Sequence, residues 1–155
     1  MSKSLRILAL DTATKTGWAL IENHKVVESG VQDFSKRRGE SNGIMFLRFR
    51  KWLNQLCATW EPELIVYEQA HFRGGAATEI GVGLQTRVQE MAAVLGVESS
   101  SCHTGTLKKW ATGVGNASKT QMIMAAAKHL GRPPIDDNEA DSVMLGLYAD
   151  AQFSV

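Results

Sequence analysis

Apolar residues recur along this chain with periods that change from segment to segment. Leu5 to Leu10 is a short apolar run suited to a strand buried on both faces, and Gly17 to Ile21 resumes it after the TATKT turn. Asn23 and His24 then reverse the chain into Lys25 to Phe34, where apolar and polar residues partly alternate, so three antiparallel strands are predicted. From Ile44 to Trp60, Met45, Phe49, Trp52, Leu53 and Leu56 recur at helical spacing, with Arg48, Lys51 and Gln55 elsewhere on the wheel. Pro62 stops this helix, and Leu64 to Tyr67 reads as a fourth strand whose hydrophobicity ends at Glu68. Helical spacing returns at Leu84, Val88, Met91, Ala92 and Leu95, and Val97 to Cys102 offers a weak fifth strand. Thr106 to Ala111, Thr120 to Leu130 and Glu139 to Ala151 complete the chain as helices, the last two separated by the breaker Gly131-Arg-Pro-Pro. The predicted order is βααα appended to βββαβα, with no internal repeat.

Composition bounds this picture without changing it. With 155 residues, 44% hydrophobic and 21% charged, the chain suits one domain spanning 1–155 with a substantial core. The net charge of +1 announces no polyanionic partner, so any nucleic-acid surface must arise from clustering of basic residues. Cys57 and Cys102 have no paired spacing and read as buried free thiols rather than a disulfide framework. The start of the chain is unlike a signal sequence and no apolar run is long enough for a membrane span, which leads us to expect a cytoplasmic protein with no membrane partner.

Candidate chemistry lies in three acidic clusters: Asp11 closing the first strand, Glu68 closing ELIVY, and Asp137, Glu139 and Asp141 at the start of the last helix. A carboxylate just past a buried strand is held rigidly yet faces solvent, so acids from separate segments can converge on a hard cation. Each has a plainer reading. A strand-end Asp often caps a turn, and acids at a helix start interact favourably with the macrodipole by about 0.3–1 kcal/mol. The dipole accounts well for Glu139 and less well for Asp141, which edges the stripe of Ala140, Val143, Met144 and Leu147. Asp137 precedes Asp141 by one turn, so both can reach one ion. Two divalent ions roughly 3.5–4 Å apart activate water and stabilise the leaving oxygen in phosphodiester hydrolysis. Mg²⁺ suits such a donor set, with Mn²⁺ able to substitute. Zinc does not, because His24, His71, His103 and His129 are scattered singly.

The segments LALDTATKTGWAL, IVYEQAHFRGG with GLQTRV following, LKKWATGVGNASKTQM and DDNEADSVMLGLYA, in this order, resemble the RuvC-type Holliday junction resolvases of the RNase H-like nuclease and integrase superfamily. The resemblance runs from about Leu5 to Ala149. It implies an α/β RNase H-like fold, with a five-stranded mixed sheet (three antiparallel strands, then parallel ones) flanked by helices. It further implies a homodimer that makes paired nicks in branched, four-way DNA. By the same resemblance, Asp11, Glu68 and Asp141 match the family's metal-binding acids. The family commonly has an aspartate three residues before the last acid, where this chain has Asn138, so Asp137 is ranked as fourth ligand and Asn138 as a helper. Lys119 and Lys108 match basic positions near the scissile phosphate, where they would ease charge build-up. His71 or Phe72, beside Arg73, would be the DNA-contacting wedge that stacks at the crossover.

Competing readings remain at this stage. Gly113 to Thr120 misses a phosphate-cradling loop by Ser118 in place of glycine, follows a helix-like segment, and reads better as a capping box of Ser118 with Gln121, so no nucleotide cofactor is expected. Lys36 to Arg38, Arg48 with Arg50 and Lys51, and Lys108 with Lys109 are the basic clusters available to DNA. A junction-binding module that never cuts and an RNA-processing nuclease of the same superfamily are the alternatives. The Leu84 to Leu95 helix is a dimer contact or ordinary core.

Overall fold

Residues 4–70 and 74–154 are described by the structure, a computed structural model. In β1 (Ile7–Asp11), successive side chains serve opposite faces of the sheet. Ile7 and Ala9 enter one apolar cluster, Leu8 and Leu10 another, and all four are inaccessible to solvent. A strand buried on both faces must lie inside its sheet, and β1 does: the order is β3-β2-β1-β4-β5. β2 (Lys15–Glu22) and β3 (Lys25–Asp33) run antiparallel beside it, joined at Asn23 and His24, whose positive φ angles of 54° and 64° make the tight turn the sequence predicts. β4 (Leu64–Glu68) and β5 (Glu98–Cys102) run parallel to β1 on its other side.

Helices cover both faces. On one lie α1 (Asn42–Trp60) and α2 (Gly75–Leu95), which bury Met45, Phe49, Leu53 and Cys57 and then Leu84, Val88, Met91 and Ala92. Phe49 and Trp52 seat α1 through edge contacts with Phe34, at 5.3 and 5.5 Å between ring centroids. On the other face lie α3 (Thr104–Thr112), α4 (Lys119–Leu130) and α5 (Asp137–Phe153), with α5 packed across β1, β2 and β3. This is an α/β sandwich with the mixed sheet expected from the sequence.

The start of α2 and the exposure of one cysteine differ from expectation. α2 begins about two and a half turns before Leu84, at Gly75, because Gly81 and Gly83 interrupt its apolar period. The second glycine is there for packing: a Cβ at Gly83 would lie 2.3 Å from the Phe46 ring of α1. Of the two readings of the α2 stripe, core packing accounts for Leu84, Val88, Met91 and Ala92, which all pack inward, while Leu95 at its end is exposed. Of the two free thiols, Cys57 is buried but Cys102 is only partly so; burial pushes each up to about 11. Among the described residues, no helix is long and apolar enough to cross a membrane.

Candidate metal centre

β1 and β4 are parallel neighbours whose last aligned pair is Leu10 with Tyr67, so the next residues, Asp11 and Glu68, emerge side by side at the same end of the sheet. Above this end starts α5, capped by Asp136, whose side chain accepts from the Glu139 amide at 2.9 Å. Asp141 follows in the second turn. Its carboxylate oxygen and those of Asp11 and Glu68 all lie within 4.8 Å of one another, although the three residues come from near the start, the middle and near the end of the chain. Asp137 is outside this trio. Its carboxylate lies 3.6 Å from Lys119 Nζ, yet its charge still acts on both Asp11 and Asp141.

Crowding of like charge leaves a clear electrostatic signature. Burial, then the charges of Glu68 and Asp141, hold the Asp11 carboxyl well above the ordinary carboxylate range. Burial, then Glu68 and Asp137, push Asp141 up to about 7, against the lowering influence of a hydrogen bond with Asp11 and of Lys108. Three carboxylates brought this close, two of them with their charged forms disfavoured, are a donor set suited to a hard divalent cation, which would relieve the repulsion. A folded-state pKa above the unfolded value means the folded chain holds these protons more tightly. Stability without metal therefore falls as pH rises from about 4 to about 7. Asp141→Asn should then stabilise the chelated protein by roughly 1–3 kcal/mol near pH 8, a few degrees in melting temperature, with the gain vanishing near pH 4. Thermal melts in a chelator at the two pH values check this.

Neighbouring side chains orient the trio. Thr104, the first residue of α3, donates to Glu68 Oε1 at 2.6 Å. Gln85 on α2 accepts from the Ala70 amide at 2.9 Å and so fastens the chain leaving β4. Neither stands out in the sequence, because each acts on a residue distant along the chain. An open hollow of about 310 Å³ lined by Asp11, Thr12, Glu68, Gln69, Ala70, Ala77 and Gly81 leads up to the acids.

The other predicted site residues are placed as follows. Lys108 is partly buried on α3, and its charge reaches Asp141. Lys119 is 82% exposed and opens α4 after a capping box of Ser118 with Gln121, so the glycine-containing segment before it joins helix to helix. His71, Phe72 and Arg73 lie outside the described residues. Glu139 is not a surface dipole partner but is fully buried, receiving Arg132 at 3.2 and 2.7 Å, Ser29 Oγ at 2.7 Å and the Ile135 amide at 2.6 Å. Burial pulls its carboxyl upward, but these donors outweigh it and the net shift is below the ordinary value. Of the basic clusters, Arg48 is forked onto Glu40 and Arg50 lies 3.7 Å from Glu90, which leaves Lys36, Arg37, Arg38, Lys51 and Lys109 as exposed positive charge.

No family model matches the sequence, and no curated protein matches it. Solved structures do. Thermus thermophilus RuvC superposes with a TM-score of 0.77 at 18% identity, over 96% of this chain and 97% of that one. T. thermophilus RuvC in complex with Holliday junction substrate gives 0.81 at 17% identity, over 97% and 98%. This chain has the fold of RuvC. The yeast mitochondrial Holliday junction resolvase Ydc2 shares it at a TM-score of 0.67 and 14% identity, over 94% of this chain and 77% of that one. The RuvC fold, an RNase H-like sheet flanked by helices, thus persists here with few of those proteins' residues retained.

Proposed function

We propose that this chain is a divalent-metal-dependent DNA endonuclease that resolves four-way junctions by paired nicks. The observation that carries the reading is the meeting of Asp11, Glu68 and Asp141 from β1, β4 and α5 at one end of a sheet with the RuvC fold. One of the structures with this fold is described as a complex with Holliday junction substrate. Asp11, Glu68 and Asp141 would hold Mg²⁺ or Mn²⁺, with Asp137 as the fourth carboxylate and Asn138 beside it. When bound, two such ions would activate water and offset charge on the leaving oxygen.

The protein's own groups do the remaining work. Thr104 keeps Glu68 turned toward the trio, and the low local polarity keeps the acids avid for positive charge. Lys108, held near Asp141, and Lys119, beside Asp137, would draw the scissile phosphate in and stabilise charge building on it. The hollow beside Ala77 and Gly81 leaves room for a strand to approach Asp11 and Glu68. His71, Phe72 and Arg73 are proposed to touch the junction crossover. Paired nicks call for two sites, hence a homodimer. Since the inner stripe of α2 is core, the outer surface carrying Val94 and, on α1, Leu47, exposed at 71% and 64%, is the apolar surface near these helices for a second copy.

A labelled four-way junction incubated with the protein should acquire symmetric nicks in Mg²⁺ and none in a chelator. Binding should weaken about a hundredfold or more between roughly 50 and 200 mM salt, as expected when several phosphates are neutralised. Junction binding without nicks in either Mg²⁺ or Mn²⁺ would leave a binding module; a flat salt response would remove DNA as the partner.

A further inference from the structure

Glu139 is an expensive way to begin a helix. Its carboxylate is fully buried two residues from Asp137 and two from Asp141, and a packed apolar residue would stabilise the position as well or better than an ion pair does. Its contacts explain what an apolar residue would lack. Arg132 grips it with both terminal nitrogens, at 3.2 and 2.7 Å, from the segment between α4 and α5. Ser29 donates to it from β3 at 2.7 Å, and the Ile135 amide donates at 2.6 Å. Thus one side chain joins the sheet, the connecting segment and the first turn of α5. From the neighbouring strand β2, Gly17 lies so close to the backbone of Asn138 that a Cβ there would meet its carbonyl oxygen at 1.9 Å. The sheet and the connecting segment thus hold the first turn of α5, which carries Asp137 and leads directly into Asp141 of the trio.

We infer that Glu139 is a positioning residue: its tether to Ser29 and Arg132 sets the rotation of α5 that brings Asp141 to Asp11 and Glu68, with Asp137 alongside. The inference rests on the metal reading above. One residue of helical rotation is about 100°, enough to turn Asp141 away entirely, and ligand placement tolerates only about 0.5 Å. Gln at this position keeps the shape but presents an amide group to a site built from donors, so the tether loosens without leaving a void.

The test is Mn²⁺ binding to the full chain without DNA, by calorimetry, with melting curves alongside. Glu139→Gln should weaken Mn²⁺ binding about 10–100-fold, in the range for residues that orient ligands. The Mn²⁺ concentration for half-maximal junction cleavage should rise by a similar factor, while the rate at saturating Mn²⁺ stays within a few fold. Arg132→Lys keeps the charge and loses the fork, and should shift binding in the same direction. A merely structural role would lower the melting temperature and leave the Mn²⁺ affinity of the folded protein unchanged. That result in either folded variant overturns the inference and leaves the metal reading intact. If Glu139→Gln does not fold, Arg132→Lys decides. Failure of the unsubstituted chain to bind Mn²⁺ overturns the metal reading and this inference together.

Discussion

Asp11→Asn should reduce junction cleavage by about a thousandfold or more while leaving junction binding within a few fold of the unsubstituted protein. The Asp11 carboxyl is held well above its ordinary range by burial and by the charges of Glu68, Asp141 and Asp137 together. Asparagine has nearly the same shape and can donate to Asp141, so the fold has no reason to fail. Indeed, it removes part of a repulsion that the metal-free protein must tolerate. What it cannot supply is the anionic oxygen that makes the trio attractive to a divalent cation. DNA binding is assigned to separate groups, the exposed Lys36, Arg37, Arg38 and Lys51 with Lys108 and Lys119, and losing a negative charge near a phosphate should not weaken it. Nicking and gel-shift assays on the same junction read the two effects separately. Cleavage at the unsubstituted rate would rule out Asp11 as a ligand.

Gly17→Ala should be nearly as damaging from a position that holds no chemistry. Gly17 pairs with Asp11 across β1 and β2, and its Cα faces the first turn of α5. An added methyl would lie 1.9 Å from the Asn138 carbonyl oxygen, 2.3 Å from its carbon and 2.9 Å from the Glu139 nitrogen, all backbone atoms that no rotamer change can move. Overpacking of this kind costs about 1–3 kcal/mol or more, roughly 2–4 °C per kcal/mol for a chain of this size. The larger consequence is geometric. If the start of α5 shifts by about 1 Å, Asp141 leaves its place in the trio, and cleavage should fall about a hundredfold. Gly115→Ala is the control, since a Cβ there meets nothing. A Gly17→Ala protein that melts and cleaves like the Gly115→Ala protein would show that α5 can move without consequence for the site.

Much of this was readable along the chain. The doubly buried run of β1, the turn at Asn23 and His24, and the amphipathic α1 have local patterns that tertiary packing only reinforces, and the structure reproduces them. The Ser118 and Gln121 capping box is likewise a matter of spacing within one turn. α2 was less legible at its start, where Gly81 and Gly83 break the apolar period, the second of them to admit Phe46. That Asp11, Glu68 and Asp141 end at the mouths of apolar segments is also local, which is why they could be picked out as candidates.

Their meeting is not local. It follows from the parallel pairing of β1 with β4 and from the rotation of α5, neither of which leaves a period in the sequence. The same holds for Glu139, which reads as a charge at a helix start and becomes buried only because Arg132, Ser29 and Ile135 arrive around it. It holds too for Asp137, one helical turn from Asp141 yet turned toward Lys119. The sequence by itself determined which segments are strands and helices and where acids stand at their ends, since backbone preference and hydrophobic period act over a few residues. Only the tertiary structure decided which acids face one another and which charge is buried, because those depend on how separate strands, helices and connecting segments pack together, which no local pattern encodes.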